Sequence, residues 1–297
     1  MFRPVNDTDP SRVSGAYGWM DGHLLPVGEM SVPVVDRTLI YGLGAFETVR
    51  LFGGRAYLLE RHLDRLHRSL EALDLPVPAA VACIADGLGA LSEADGAPDA
   101  LARVTVTAGS ASGGGADMRV FIALRDVPAR TRGPVIVGVA DFAHDTRSPL
   151  VGVKSTSYLV HYLLRERAEA GGRTDDLMVD GQGRVTEATV ANAFVVAGGR
   201  LITPPLSEGI LAGVTRARVL ELAHELGQEV AEETLGRAAL GAVDEVFLTG
   251  AGKCLLSVDV IDGRTLPVER PFSDALRLAL RKDIAATCGV ELDRVRF

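Results

Sequence analysis

The sequence predicts an α+β fold, with two domains around a cleft. Three observations carry that expectation. At 297 residues the chain is long enough for two cores of ordinary size. Strand-like runs and amphipathic helical stripes follow one another in both halves, without an internal repeat. Pro128-Ala129-Arg130-Thr131-Arg132-Gly133-Pro134 sets two arginines between prolines and a glycine, which is linker composition. The chain therefore divides into residues 1–128, a linker at 129–134 and residues 135–297.

In the first domain, Gly18 to Leu25 reads as a hairpin turning at Asp21-Gly22. Ser31 to Arg37 reads as extended, and Tyr41-Gly42-Leu43-Gly44 as a flexible corner. A second hairpin pairs Ala45–Leu51 with Ala56–Leu59 across Gly53-Gly54. Leu59, Leu63, Leu66, Leu70 and Leu73 then fall on one helical face, and Pro76 and Pro78 end that helix. A helix over Ala79 to Leu91 follows, then strands at Arg103–Thr107 and Met118–Leu124. Between those strands, Gly109 to Ala116 lacks the spacing of a dinucleotide fingerprint and reads as a mobile surface loop.

The second domain opens with a strand at Val135–Ala140 and a helix at Tyr158–Ala170 closed by Gly171-Gly172. Strands follow at Asp176–Asp180 and from Val185, then a hairpin of Ala193–Val196 with Leu201–Thr203. Gly213 opens an amphipathic helix to Leu226. A strand at Glu245–Leu248, a hairpin at Asp262-Gly263 and a helix from Ser273 to Thr287 complete the chain.

Composition narrows the function classes. A formal net charge of -8 with scattered arginines leaves no footprint for nucleic acid or an anionic membrane. No apolar stretch approaches the roughly 20 residues of a membrane span, and the N-terminus lacks signal-peptide order. Cys83, Cys254 and Cys288 are too few and too dispersed for a disulfide framework or a zinc site. A cytoplasmic protein without a metal is expected. The six histidines make no metal-ligand pair, and His62 and His67, five apart on a helix, are expected to be solvated or capping. Gly250-Ala251-Gly252-Lys253-Cys254 fails as a P-loop, because Phe247 stands at the first glycine and Cys254 at the hydroxyl position.

Lys154 stands out by scarcity. The chain holds 31 Lys plus Arg, of which only Lys154, Lys253 and Lys282 are lysines. A lysine kept among small and apolar neighbours can lose its proton and act as nucleophile or base, which Arg cannot. The bland alternative is a side chain that snorkels to solvent. Further along, Glu187 sits after a strand in a turn that also holds Asn192, and Gly213-Val214-Thr215 offers a helix N-terminus suited to phosphate. An imine-forming lysine, a carboxylate and a phosphate cradle are together what pyridoxal phosphate requires.

Six ordered blocks carry a family resemblance from about Gly18 to Gly263. They are Phe46-Glu47-Thr48-Val49-Arg50, Glu60 to Leu66, Val153-Lys154-Ser155, Val185-Thr186-Glu187 with Asn192-Ala193-Phe194, Gly213 to Arg216, and Asp244 to Leu248. The sequence resembles the class IV pyridoxal-phosphate aminotransferases of fold type IV, among them branched-chain and D-amino acid aminotransferases and 4-amino-4-deoxychorismate lyases. The resemblance implies a D-amino acid aminotransferase-like fold with the active site in the cleft, a pyridoxal 5'-phosphate cofactor, and a homodimer.

By the same resemblance the domain 1–128 supplies a phosphate-binding arginine, Arg65, and the domain 135–297 carries Lys154, which holds the cofactor and moves the proton. Glu187 faces the pyridine nitrogen with Asn192 beside it, and Tyr158 lies near the phenolic oxygen. Val214 and Thr215 cradle the phosphate, joined by Thr249, Gly250 and Ala251. Phe46 lines the substrate pocket and Arg103 binds a substrate carboxylate, with Arg130 and Arg132 as further candidates. Small Ala251 and Ala191-Asn192 are closer to the lyase pattern. Ala108 stands where lyases and D-amino acid enzymes carry an arginine, and Arg103 lies near the arginine of branched-chain enzymes. The branch stays open. The expected activity is transfer of an amino group between an amino acid, or a related amine, and a 2-keto acid. The alternatives are pyruvate elimination from 4-amino-4-deoxychorismate and a cofactor-binding protein without turnover.

Overall fold

The computed structural model describes residues 13–128 and 133–297. Most of the linker, with Arg130 and Arg132, lies outside the described residues. The chain forms two compact units that interleave in sequence. The first comprises the described residues of Met1–Ala129 together with Val153–Ser157 and Ile284–Val295, and the second the described residues of Arg130–Gly152 with Tyr158–Asp283 and Arg296–Phe297.

In the first unit the elements run β1 (Tyr17–Met20), β2 (His23–Pro26), α1 (Arg37–Tyr41), β3 (Gly44–Phe52), β4 (Arg55–Ala56), α2 (Leu59–Ala72), α3 (Ile84–Ala94), β5 (Ala100–Thr107) and β6 (Val120–Arg125). The strands make one sheet in the order β2-β1-β6-β5-β3-β4. Asp21 and Gly22 turn the first hairpin with positive φ, as their residue types suggest. The leucine stripe of α2 buries Leu66 and Leu70 completely, against the inward residues Val49, Leu51 and Val104 of the sheet. Helix α3 starts later than its pattern suggests, after a 3-10 turn at Ala79–Cys83. It packs so tightly on the sheet that a Cβ at Gly87 would lie 2.7 Å from the Trp19 indole. Helix α1 bridges the expected extended stretch and the expected corner, where the sequence pattern shows no helix. Asp36 caps it by accepting from the Thr38 N–H at 2.7 Å, and left-handed Gly42 ends it.

The second unit continues with β7 (Ile136–His144), α4 (Leu159–Ala170), β8 (Asp175–Asp180), β9 (Arg184–Ala188), β10 (Asn192–Ala197), β11 (Arg200–Thr203) and α5 (Val214–Glu225). It then adds β12 (Val230–Glu232), β13 (Leu235–Gly236), β14 (Glu245–Gly250), β15 (Cys254–Ser257), β16 (Val260–Ile261), β17 (Arg264–Thr265) and α6 (Pro271–Cys288), whose last residues from Ile284 belong to the first unit. Two sheets result, β12-β11-β10-β14-β15 and β13-β9-β8-β7-β16-β17. Leu177, Val185, Val195, Val246 and Val258 fill the core they share. Among the described residues no helix is long and apolar enough to cross a membrane.

The segment Val153–Ser157 lies far from β3 in sequence and pairs with its outer edge. Strand β4 covers that edge only at Leu51 and Phe52, which leaves the backbone groups of Gly44 to Phe46 open to a partner. The Phe46 N–H donates to the Lys154 carbonyl at 2.9 Å, and the Thr156 N–H donates to the Gly44 carbonyl at 2.9 Å. Ala45 and Ser155 face each other as an antiparallel bridge. Lys154 is thereby held by backbone pairing, not by the reach of a loop.

Candidate functional site

In the first unit, Lys154 is half-buried and its Nζ lies 4.5 Å from the centroid of the Phe46 ring. The Arg103 guanidinium sits 3.8 Å from the same centroid. The register explains this grouping. Thr48 opposes Arg103 across β3 and β5, so Phe46 and Arg103 share the face opposite the leucine core. The Lys154 N–H is also tethered to α2, donating to Ser69 Oγ at 3.3 Å. Lysine, aromatic ring and guanidinium are thus fixed together on one sheet face.

The other face of β3 carries a charged cluster. Glu47 points inward between Ala45 and Val49, and its carboxylate receives Arg65 Nε and Nη2 at 2.7 Å each and His62 Nδ1 at 2.8 Å. All three side chains are buried. Burial alone would raise the Glu47 pKa, but the charge and hydrogen bonds of Arg65, helped by His62, outweigh it and bring the pKa to about 2. Burial lowers the His62 pKa, and the nearby charges of Arg65 and Lys154 add to that effect against the pull of Glu47. His62 is therefore not the solvated or capping residue expected of it. It lies on the inner face of α2, one turn from Arg65, whereas His67 is exposed.

In the second unit, Glu187 is buried and accepts from Asn192 Nδ2 at 3.1 Å and from the Leu211 N–H at 3.2 Å. Asn192 Nδ2 also donates to the Leu211 carbonyl at 2.9 Å. Tyr158 donates its hydroxyl to the Thr189 carbonyl at 3.2 Å and stacks on His161, with centroids 4.7 Å apart and planes within 10°. His161 Nδ1 meets the same carbonyl at 3.0 Å, so Nδ1 carries the proton. Thr189 is fixed in turn by buried Asp175, which accepts from its hydroxyl at 2.5 Å and whose pKa burial raises.

Three features of this unit fit a phosphorylated ring cofactor. Helix α5 starts at Gly213 without a side-chain cap, and its first residues, Val214 and Thr215, are largely buried, so backbone N–H groups and a helix dipole converge on one spot. Thr249 Oγ1 is buried and has no hydrogen-bond partner among the described residues, as a hydroxyl waiting for an external acceptor would be. A Cβ on Gly213 would fall 2.0 Å from Asn192 Oδ1, so the helix start and the Glu187 network are packed as one piece. Asn192 and Thr249 are register partners on β10 and β14, which places both on neighbouring strands of one sheet. Gly250 and Ala251 lead from β14 into the tight turn to β15, with Cys254 at φ 52°. That turn joins two antiparallel strands, so no strand-to-helix phosphate loop exists there.

Glu47, His62, Ser69 and His161 were missed as site residues. A signal for Glu47 was present: a carboxylate at an inward position of an alternating strand demands a buried partner. Ser69 and His161 left no such mark, because their partners are a backbone N–H and a backbone carbonyl remote in sequence.

The family model for class IV amino-transferases matches residues 44–261. A Methanocaldococcus jannaschii protein provisionally named a branched-chain-amino-acid aminotransferase is 31% identical over 284 residues, covering 92% of this chain and 98% of the relative. The crystal structure of a branched-chain aminotransferase from Thermoproteus uzoniensis with norvaline superposes with a TM-score of 0.84 at 28% identity, covering 92% of this chain and 96% of that one. A Legionella pneumophila structure provisionally named 4-amino-4-deoxychorismate lyase gives 0.80 at 27% identity, covering 86% and 96%. The fold is that of fold type IV enzymes, and the chain belongs to the class IV aminotransferases, whose cofactor is pyridoxal 5'-phosphate.

Proposed function

We propose that this aminotransferase takes the amino group of a branched-chain or similarly apolar amino acid and passes it to a 2-keto acid. The observation that carries the substrate class is the grouping of Lys154, Phe46 and Arg103. A guanidinium on the same aromatic ring as the reactive amine suits a substrate carboxylate, and the ring itself suits an apolar side chain. The names of the Methanocaldococcus and Thermoproteus relatives support the same choice.

The roles follow from the residues. Lys154 Nζ would hold the cofactor covalently and, once free, would take or give the proton at the substrate Cα. Bound pyridoxal phosphate supplies an electron sink for the carbon that loses its proton. Glu187, held by Asn192 and the Leu211 N–H, keeps the ring nitrogen protonated. Arg65, the α5 start at Val214 and Thr215, and the Thr249 hydroxyl with Gly250 and Ala251 bind the phosphate. Tyr158, fixed by His161 and Thr189, borders the phenolic oxygen.

We further infer a homodimer and a cytoplasmic location. Val34, Val35, Leu39, Ile40 and Tyr41 form an exposed apolar stretch around α1, of the kind that a second copy covers. All three cysteines are free thiols, which suits a reducing compartment.

The test adds single amino donors to purified protein without an acceptor. Loss of the visible band of the lysine-bound cofactor with L-leucine, and its return with a 2-keto acid, is the expected result. A second reading, 4-amino-4-deoxychorismate lyase, is favoured by small Ala251 and by the likeness to the Legionella structure. Pyruvate release from that substrate with the band retained would establish it. A band unchanged in Lys154→Ala would refute the role of Lys154.

A further inference from the structure

We propose that Glu47 and His62 are positioning residues that hold the Arg65 guanidinium in one orientation, and so set how strongly the protein prefers a phosphorylated cofactor over its dephosphorylated form. The inference rests on the assignment of Arg65 to the phosphate and deepens it.

The geometry is specific. Arg65 presents Nε and Nη2 to both oxygens of Glu47 at 2.7 Å each, a two-pronged contact that fixes the plane of the guanidinium as well as its position. His62, one helical turn before Arg65 on α2, donates from Nδ1 to Glu47 Oε2 at 2.8 Å and leaves that carboxylate little freedom to rotate. The three groups occupy the protein's interior: Arg65 and Glu47 are 5% and 1% exposed. Glu47 belongs to the same strand as Phe46, and Ser69 on α2 tethers the Lys154 N–H. Lysine and arginine are therefore both referenced to β3 and α2.

Glu47 has two effects of opposite sign on a bound phosphate. Its negative charge offsets that of Arg65 and weakens long-range attraction to an anion. Its fork removes the rotamer freedom of a long side chain and fixes the plane of the guanidinium. Hydrogen bonds to charged groups depend steeply on direction. In a buried cluster with a fixed plane, orientation outweighs the added charge that Glu47→Gln would leave. The sign of the outcome therefore separates the two effects.

The experiment uses the full-length protein, stripped of cofactor and titrated with pyridoxal 5'-phosphate and with pyridoxal, each read by the visible band. The ratio of the two affinities is the phosphate preference, and pyridoxal serves as the internal control for folding. Glu47→Gln is expected to lower the ratio by about tenfold or more, the scale of one well-aligned hydrogen bond to a charged group, while pyridoxal binding holds. His62→Asn, which keeps an N–H donor, should retain most of the preference, and His62→Leu should lose it. In an Arg65→Lys background, Glu47→Gln should have no further effect on the ratio. A raised or unchanged ratio in Glu47→Gln overturns the proposal. So does an equal loss for both ligands, which marks a general folding defect, or an undiminished effect in the Arg65→Lys background. A ratio that Arg65→Lys and Arg65→Ala both leave intact overturns instead the assignment of Arg65 to the phosphate.

Discussion

At the scale of single residues, buried ionisable groups make stability depend on pH, with a sign set by each shift. The Glu47 carboxyl drops from 4.5 to about 2 on folding. Its contribution, about 3 kcal/mol from that difference, is present above the ordinary carboxylate value and is lost as pH falls towards 2. His62 shifts down from 6.5, so below that pH the unfolded chain takes up a proton the folded one resists. Both groups erode stability on acidification, His62 first. Asp175 runs the other way: burial raises its pKa above 3.8, so its effect disfavours the fold as pH rises. Urea unfolding of the wild type is expected to show falling stability from pH 7 to pH 4, and His62→Asn should remove the early part of that fall. A flat wild-type profile would contradict the assignment. In the second unit, Gly213→Ala would drive a methyl to 2.0 Å from Asn192 Oδ1. We expect it to cost on the order of 1–3 kcal/mol of overpacking strain, and to weaken cofactor binding as the Asn192 link to Glu187 shifts.

At the scale of elements, the bond between the Lys154 segment and β3 can be tested through Thr156, whose hydroxyl donates to the Gly42 carbonyl at 2.6 Å while its N–H donates to Gly44. Thr156→Val keeps the shape and removes the hydroxyl, which should cost about 1–3 kcal/mol for a carbonyl left without that donor. Cofactor loading at limiting concentration should fall with it, and thermal unfolding followed by the visible band would show both. What the sequence revealed, and what it concealed, divides along the range of the interactions. The leucines of α2, the Asp21-Gly22 turn and the Gly213 helix start are signalled locally, within a few residues, and all are where the pattern places them. Helix α1 is too short for a periodic stripe, and its evidence is one cap, Asp36, and one left-handed glycine, Gly42. Strand β15 follows a run of glycines and Lys253 that reads as loop. Lysine scarcity pointed to Lys154, but no local feature could show that its backbone would join a strand made more than a hundred residues earlier. Glu47 and His62 were hidden for a related reason: each is ordinary alone and becomes informative only when strand and helix meet.

At the scale of the whole molecule, the first unit is assembled from three separate stretches of the chain. Ile284, Cys288 and Val295 at its C-terminal stretch are each almost fully buried. A chain ending at Asp283 would expose the surfaces they cover, at a cost of about 5 kcal/mol for three apolar side chains. Such a truncation is expected to leave residues 13–128 sensitive to limited proteolysis under conditions in which the full chain resists, and equal resistance of the two would show that the last stretch is dispensable. The same interleaving has a consequence for synthesis. The six strands of the first sheet have all left the ribosome by Arg125, yet Ile284–Val295 emerges about 170 residues later. At the usual 5–20 residues per second, the sheet waits roughly ten to thirty seconds for its closing piece. During the early part of that interval the Gly44–Phe46 edge is also bare, until the Lys154 segment arrives to cover it. The nascent chain therefore carries an open strand edge and an uncovered apolar surface for that time, and chaperone contact during translation should concentrate on the first unit and end once Ile284–Val295 has emerged.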